Sequence, residues 1–140
     1  TVRGSTVDDL EGIILPAIKA AAQEISSSYG AQVEMYHYEP LFKDMRQDKK
    51  LLNLFKDVMT EFGEAPRILP DDEADGSTDV GNVSYEVPTA QPTLQIGLGL
   101  EAHTPEFTCA AGSDYGLAQA IKGAKIMAVV ALRYALLRDA

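Results

Sequence analysis

Apolar residues return every three or four positions at Val7, Leu10, Ile14, Ala17, Ile18, Ala21 and Ile25. That period predicts an amphipathic helix. Ser5 or Thr6 supplies its N-cap, and Asp8 and Asp9 sit in the first turn, where the helix dipole favours anions. Pro16 falls inside the pattern and removes one backbone donor, which predicts a kink or break near residues 11–13. Gly30 ends the helix. Residues 1–4 read as the end of a strand.

Residues 31–38 alternate instead. Val33, Met35 and His37 fall on one side; Gln32, Glu34, Tyr36 and Tyr38 fall on the other. A period of two predicts a strand with one buried face, stopped by Pro40. The helical period resumes over residues 48–62, with Leu51, Leu52, Phe55, Val58, Met59 and Phe62 on one face and Gly63 as the stop. Residues 67–69 read as a short strand, 71–79 as an acidic loop, and 93–100 as a strand with Leu94, Ile96 and Leu98 on one face. Ser113 caps a long last helix over residues 114–137. Leu117, Ile121, Ala124, Ala128 and Leu132 share a face of it, and Gly116 and Gly123 allow close packing on a sheet.

Composition narrows the function classes. The chain has 140 residues, 46% of them hydrophobic, so it can bury a core. Its net charge of −9 argues against nucleic-acid binding and against a polybasic membrane surface. An acidic cytoplasmic protein is the expectation. A single cysteine, Cys109, excludes an intrachain disulfide and reads as a small buried hydrophobe. The apolar stretch 124–137 is interrupted by Lys125 and Arg133 and falls short of the about 20 residues of a membrane span.

Candidate chemistry lies in two loops. One is Asp75-Gly76-Ser77-Thr78-Asp79-Val80-Gly81-Asn82-Val83-Ser84; the other is His103-Thr104-Pro105-Glu106-Phe107. Small, hydroxyl and carboxylate residues gathered between apolar segments serve binding or catalysis more often than packing. His103 follows an apolar segment, where open α/β sheets build their sites. It reads as a metal ligand, a surface residue or a core histidine; His37 reads as structural. Asp71, Glu73, Asp75, Gly76 and Asp79 approach the spacing of a calcium loop, but Asn82 stands where a bidentate Glu is needed and Pro70 where a helix should lead in. A Cys109–His103 nucleophile pair has only weak support from the six-residue spacing.

Taken in order, these segments resemble a known family. Gly76-Ser77-Thr78-Asp79-Val80-Gly81-Asn82-Val83-Ser84, then Val87-Pro88, then a strand, then Ala102-His103-Thr104-Pro105-Glu106-Phe107, are followed by a terminal helix with Ile121-Lys122-Gly123-Ala124-Lys125. This is similar to the C-terminal part of the aminoacylase and carboxypeptidase family of two-metal peptidases and amidohydrolases. The closest branch holds aminobenzoyl-glutamate hydrolase and related N-acyl amino acid and dipeptide hydrolases.

The resemblance implies an α/β fold. Residues 45–140 would form the C-terminal part of a phosphorylase/hydrolase-like catalytic domain, and residues 1–44 the closing half of an α+β lid. It implies His103 as the last ligand of a two-metal centre of zinc, with manganese or cobalt as alternatives. Gly76, Ser77 and Thr78 would line the substrate, and Arg3 would grip a substrate carboxylate through paired hydrogen bonds. In such centres two metals about 3.5–4 Å apart polarise the scissile carbonyl and activate a water. The family's other ligands and its catalytic carboxylate belong to an N-terminal half, so the chain reads as a fragment that is inactive alone, from a parent that dimerises through its lid. Two further readings are a non-enzymatic α/β interaction module and a calcium-binding loop protein. The enzyme reading expects His103 and the loop of residues 75–84 to meet at one end of a sheet.

Overall fold

Thr6 opens the first helix. Its backbone is extended (φ −133°, ψ 159°), and its hydroxyl accepts from the Asp9 N–H at 3.1 Å. One of the N–H groups left open at a helix start is thereby satisfied. Helix α1 (Val7–Asp9) leads directly into a π turn over Leu10–Ile14 and then into α2 (Leu15–Ser28). Pro16 has no N–H to give to the carbonyl of Gly12, and its ring crowds that carbonyl. A wider turn relieves the conflict: the Leu15 N–H bonds to Leu10 O, five residues back. The expected kink is therefore a single π turn, and the helix runs on through it. Gly30 follows α2 at φ 65°.

The computed structural model describes residues 1–70 and 76–138. Two units are distinguished: Thr1–Arg46 with Asp75–Val87, and Gln47–Ala74 with Pro88–Ala140. In unit one Val7 and Leu10 are buried, whereas Ile13, Ile18 and Ile25 on the same helical stretch are exposed. A short helix, α4 (Val80–Ser84), occupies part of what reads as a loop in the sequence.

Unit two is built on α3 (Lys49–Glu61), α5 (Pro105–Ala111) and α6 (Asp114–Arg138). Asp48 caps α3, its carboxylate accepting from the Leu51 N–H at 2.7 Å, and Gly63 follows at φ 80°. Val58, Met59, Ile126 and Val130 form the core between α3 and α6, flanked by Leu51, Leu54, Phe55, Phe62, Leu94 and Val129. Burying each such side chain stabilises the unit by about 1.5–3 kcal/mol.

Polar ties fix the pairing. Gln119 is buried; its side-chain amide donates to Gln95 O at 2.9 Å. Lys122 Nζ meets the Glu64 carboxylate at 2.5 Å, and Arg133 grips Glu61 through two bonds of 2.6 and 2.8 Å.

Three sequence expectations differ from the structure. Among the described residues the β pairing is one parallel bridge, Gln47 with Thr89, supported by Asp48 N–H to Thr89 O at 2.8 Å. Residues 31–38, 67–69 and 93–100 carry the strand pattern without a ladder. Alternation gives a segment two faces but gives its N–H groups no partner, and a strand needs both. Second, the face of α6 marked by Leu117, Ile121, Ala124, Ala128 and Leu132 points to water. The packed face is Gly116, Gln119, Ile126 and Val130. The helix is apolar on nearly every side, so periodicity alone does not choose. The two glycines choose: a Cβ at Gly116 would run into the Ala110 carbonyl oxygen, and one at Gly123 would come within 3.1 Å of Leu94 Cδ1. Third, Cys109 and His37 are both exposed, against the buried thiol and structural histidine expected.

Candidate functional site

In unit one, the segment 80–85 binds residues 41–46 through side chains aimed at backbone. Asn82 does most of this. Its Oδ1 accepts from the Lys43 N–H at 2.9 Å, and its Nδ2 donates to Leu41 O at 2.9 Å. A side-chain amide offers one acceptor and two donors in a plane, so it can stand in for a strand neighbour. Ser84 Oγ accepts from the Arg46 N–H at 2.9 Å and donates to Gly81 O at 2.6 Å. Gly81 is buried, and a Cβ there would collide with the Lys43 carbonyl. Three of the motif's small and polar residues are thus used to hold the chain to itself.

Asp44 and Tyr85 finish the same joint. Asp44 Oδ1 accepts the Tyr85 hydroxyl at 2.7 Å and the Val7 N–H at 2.8 Å. Arg46 stacks over the Tyr85 ring at 3.6 Å from its centroid, with Lys43 at 4.7 Å, a favourable use of the ring's negative face. Burial pushes the Asp44 carboxyl up, but the Val7 N–H, the Tyr85 hydroxyl and the Arg46 charge outweigh it and hold the group below the ordinary aspartate value. Burial and the Asp44 carboxylate both push the Tyr85 phenol up. Sequence reasoning missed this cluster. Its one available signal was Gly81-Asn82 beside Ser84, a small residue flanked by groups that bond backbone.

The other half of the motif is left accessible. Gly76 lies at φ 154°, Ser77 is exposed, and Thr78 is half-buried with its Oγ1 accepting from the Val80 N–H at 3.3 Å. Arg3 is exposed in the same unit. The candidate calcium ligands Asp71, Glu73 and Asp75 lie outside the described residues.

His103 falls in unit two, whereas Arg3, Gly76, Ser77 and Thr78 fall in unit one. It is exposed and stands at φ 65°, the one non-glycine residue with positive φ among those described. Such a conformation costs about 1–3 kcal/mol and persists only where the surroundings enforce it. Here the next residue enforces it. Thr104 Oγ1 accepts from the Phe107 N–H at 3.2 Å, capping α5, and donates to Glu101 O at 2.7 Å. Pro105 fixes the first helical residue. The turn before the cap then has little freedom, and histidine is among the side chains that tolerate it.

Among the described residues no group of three or more His, Cys, Asp or Glu side chains is placed to hold a metal. His103 alone does not fit a resident metal centre, and a two-metal site would need donors besides those described. Among the described residues, too, no helix is long and apolar enough to cross a membrane.

Comparison with known proteins gives a partial likeness. Over 57 residues the chain is 44% identical to the Xaa-Arg dipeptidases of Mus musculus and of Homo sapiens. The matched stretch is 41% of this chain and 13% of either relative. No protein-family model matches the chain, and no solved structure matches it. Over that stretch, the chain is similar to dipeptidases.

Proposed function

We propose that this chain is part of a metal-dependent amidohydrolase that splits the amide bond of dipeptides or N-acyl amino acids. The 44% identity with Xaa-Arg dipeptidases over 57 residues carries the reading. The local geometry supports it. His103 is held exposed in a costly conformation, as a ligand aimed outward from a rigid turn would be.

In this reading His103 supplies one ligand to a centre of two divalent metals, zinc or alternatively manganese or cobalt. Ser77 and Thr78 offer hydroxyls to the substrate, with Gly76 giving the backbone room to approach it. Arg3 pairs with the substrate's terminal carboxylate. The catalytic carboxylate and the remaining ligands come from outside this chain. Residues 1–44 serve as part of a lid and residues 45–140 as part of an α/β catalytic domain, in a cytoplasmic enzyme. A net charge of −9 also suits a basic dipeptide, because an acidic surface raises the local concentration of cations.

The test is hydrolysis by the intact protein that carries this chain. With zinc, manganese or cobalt it should release free amino acid from Xaa-Arg dipeptides or N-acyl amino acids, and a chelator should stop the release. Failure to hydrolyse either class with all three metals would overturn the reading.

A further inference from the structure

Asn82 is spent on backbone, and the helix it belongs to leads directly to the accessible half of the motif. Its Oδ1 accepts from the Lys43 N–H and its Nδ2 donates to Leu41 O, both at 2.9 Å. Main-chain bonds run back from Asn82 to Thr78. The Asn82 N–H donates to Asp79 O at 2.9 Å, and the Gly81 N–H to Thr78 O at 3.3 Å. The Val80 N–H reaches the Thr78 hydroxyl itself, also at 3.3 Å. The carbonyl and the hydroxyl of Thr78 are thus both tied to the first turn of the helix that Asn82 pins.

Helix α4 has five residues, too few to be stable by its own hydrogen bonds. Its place is set by what its side chains grip. Ser84 and Tyr85 grip the far end, through the Arg46 N–H and the Asp44 carboxylate. Asn82 grips the near end, one turn from Thr78. Gly81 lets that end lie close on the Lys43 carbonyl but adds no side chain to hold it.

We propose that Asn82 is a positioning residue: by holding α4 to residues 41–43 it sets where the Ser77 and Thr78 hydroxyls stand toward the substrate. The proposal rests on the hydrolase reading, in which those hydroxyls meet the substrate; Asn82 itself does not touch it. The residue type fits the task. A planar amide sets an acceptor beside a donor, matching the Lys43 N–H and the Leu41 carbonyl at once. An aspartate would match the first and repel the second, and a leucine of similar size would match neither.

Steady-state kinetics of the intact, metal-loaded protein on Xaa-Arg dipeptides test this, with Asn82→Leu beside Ser84→Ala. Asn82→Leu should raise KM about tenfold with kcat within about twofold, because binding common to ground state and transition state is lost. Asn82→Asp keeps the acceptor for the Lys43 N–H and should fall between it and the wild type. Ser84→Ala loosens the far end, which Tyr85 still holds, so it should lower the thermal midpoint and leave KM within about twofold. In the 140-residue chain, amide exchange at Val80 and Gly81 should quicken in Asn82→Leu and not in Ser84→Ala. Should Asn82→Leu fail to fold, Asn82→Asp decides by the same comparison. An active wild type whose KM, or whose exchange at Val80 and Gly81, is indifferent to the Asn82 substitution overturns the positioning role alone. So does an equal rise in KM with Ser84→Ala. A wild type inactive on dipeptides and on N-acyl amino acids overturns the hydrolase reading, and the substrate role of Asn82 with it.

Discussion

Asp44 Oδ1 accepts the Tyr85 hydroxyl at 2.7 Å, joining residues 38 positions beyond the first helix cap to the end of α4. The same oxygen takes the Val7 N–H, so one carboxylate closes three segments of unit one. Replacing it by alanine strands a backbone donor and a phenol together. Asp44→Ala should therefore destabilise unit one by about 1–2 kcal/mol. Chemical denaturation followed by far-UV circular dichroism checks this.

The same contact gives a pH dependence with a definite sign. The folded-state pKa of Asp44 is depressed, so its contribution is fully present above the unfolded value, near 3.9. It fades as pH falls below that value and is gone below the folded pKa. The half-exposed carboxylate is partly screened, which keeps the effect modest. Asp44→Asn should flatten the acid limb of the stability–pH curve and leave its slope near neutrality unchanged.

Gly81 has no room for a side chain against the Lys43 carbonyl. Gly81→Ala should force α4 away from residues 41–46 and break the bonds from Asn82 and Ser84. A loss of about 2–3 kcal/mol is expected, at the scale of overpacking. Faster amide exchange at Lys43 and Arg46 would identify the break, because those N–H groups are the ones released.

In unit two, Gln119→Leu removes the buried donor to Gln95 O, while Gln95 itself is exposed and its carbonyl can turn to water. It should cost about 0.5–1.5 kcal/mol. Val58, fully buried, sets a comparison: Val58→Ala should cost about 2–3 kcal/mol through lost burial and the space left behind. Thermal melts of both variants distinguish a polar tie that matters from one that merely decorates the α3–α6 pair.

Much of the helical content was legible because caps and stops are local. Thr6, Asp48, Ser113, Gly30 and Gly63 act within a turn of where they stand, and the structure puts them at or beside helix ends. Of the candidate site, only the motif itself was legible. Its motif reads as one loop, yet Gly81, Asn82 and Ser84 serve the fold while Gly76, Ser77 and Thr78 stay accessible. That division depends on which backbone lies opposite, which no local pattern encodes. The α6 face was misassigned for a related reason: apolar residues surround the helix, and the buried side was settled by Gly116 and Gly123 against distant partners. Strand alternation at residues 31–38 named faces correctly spaced for a sheet without supplying a neighbour to pair with.

The central claim concerns His103, and one substitution addresses it most directly. Glycine suits φ 65° better than histidine, so His103→Gly should leave the fold intact, raising its stability by up to about 1 kcal/mol. The measurement is kcat/KM for dipeptide hydrolysis by the intact metal-loaded protein, beside its thermal midpoint. On the proposed role of His103 as a metal ligand, the substitution should lower kcat/KM at least about a hundredfold while the midpoint holds or rises. Undiminished hydrolysis by His103→Gly would contradict the assignment of this residue to the metal centre.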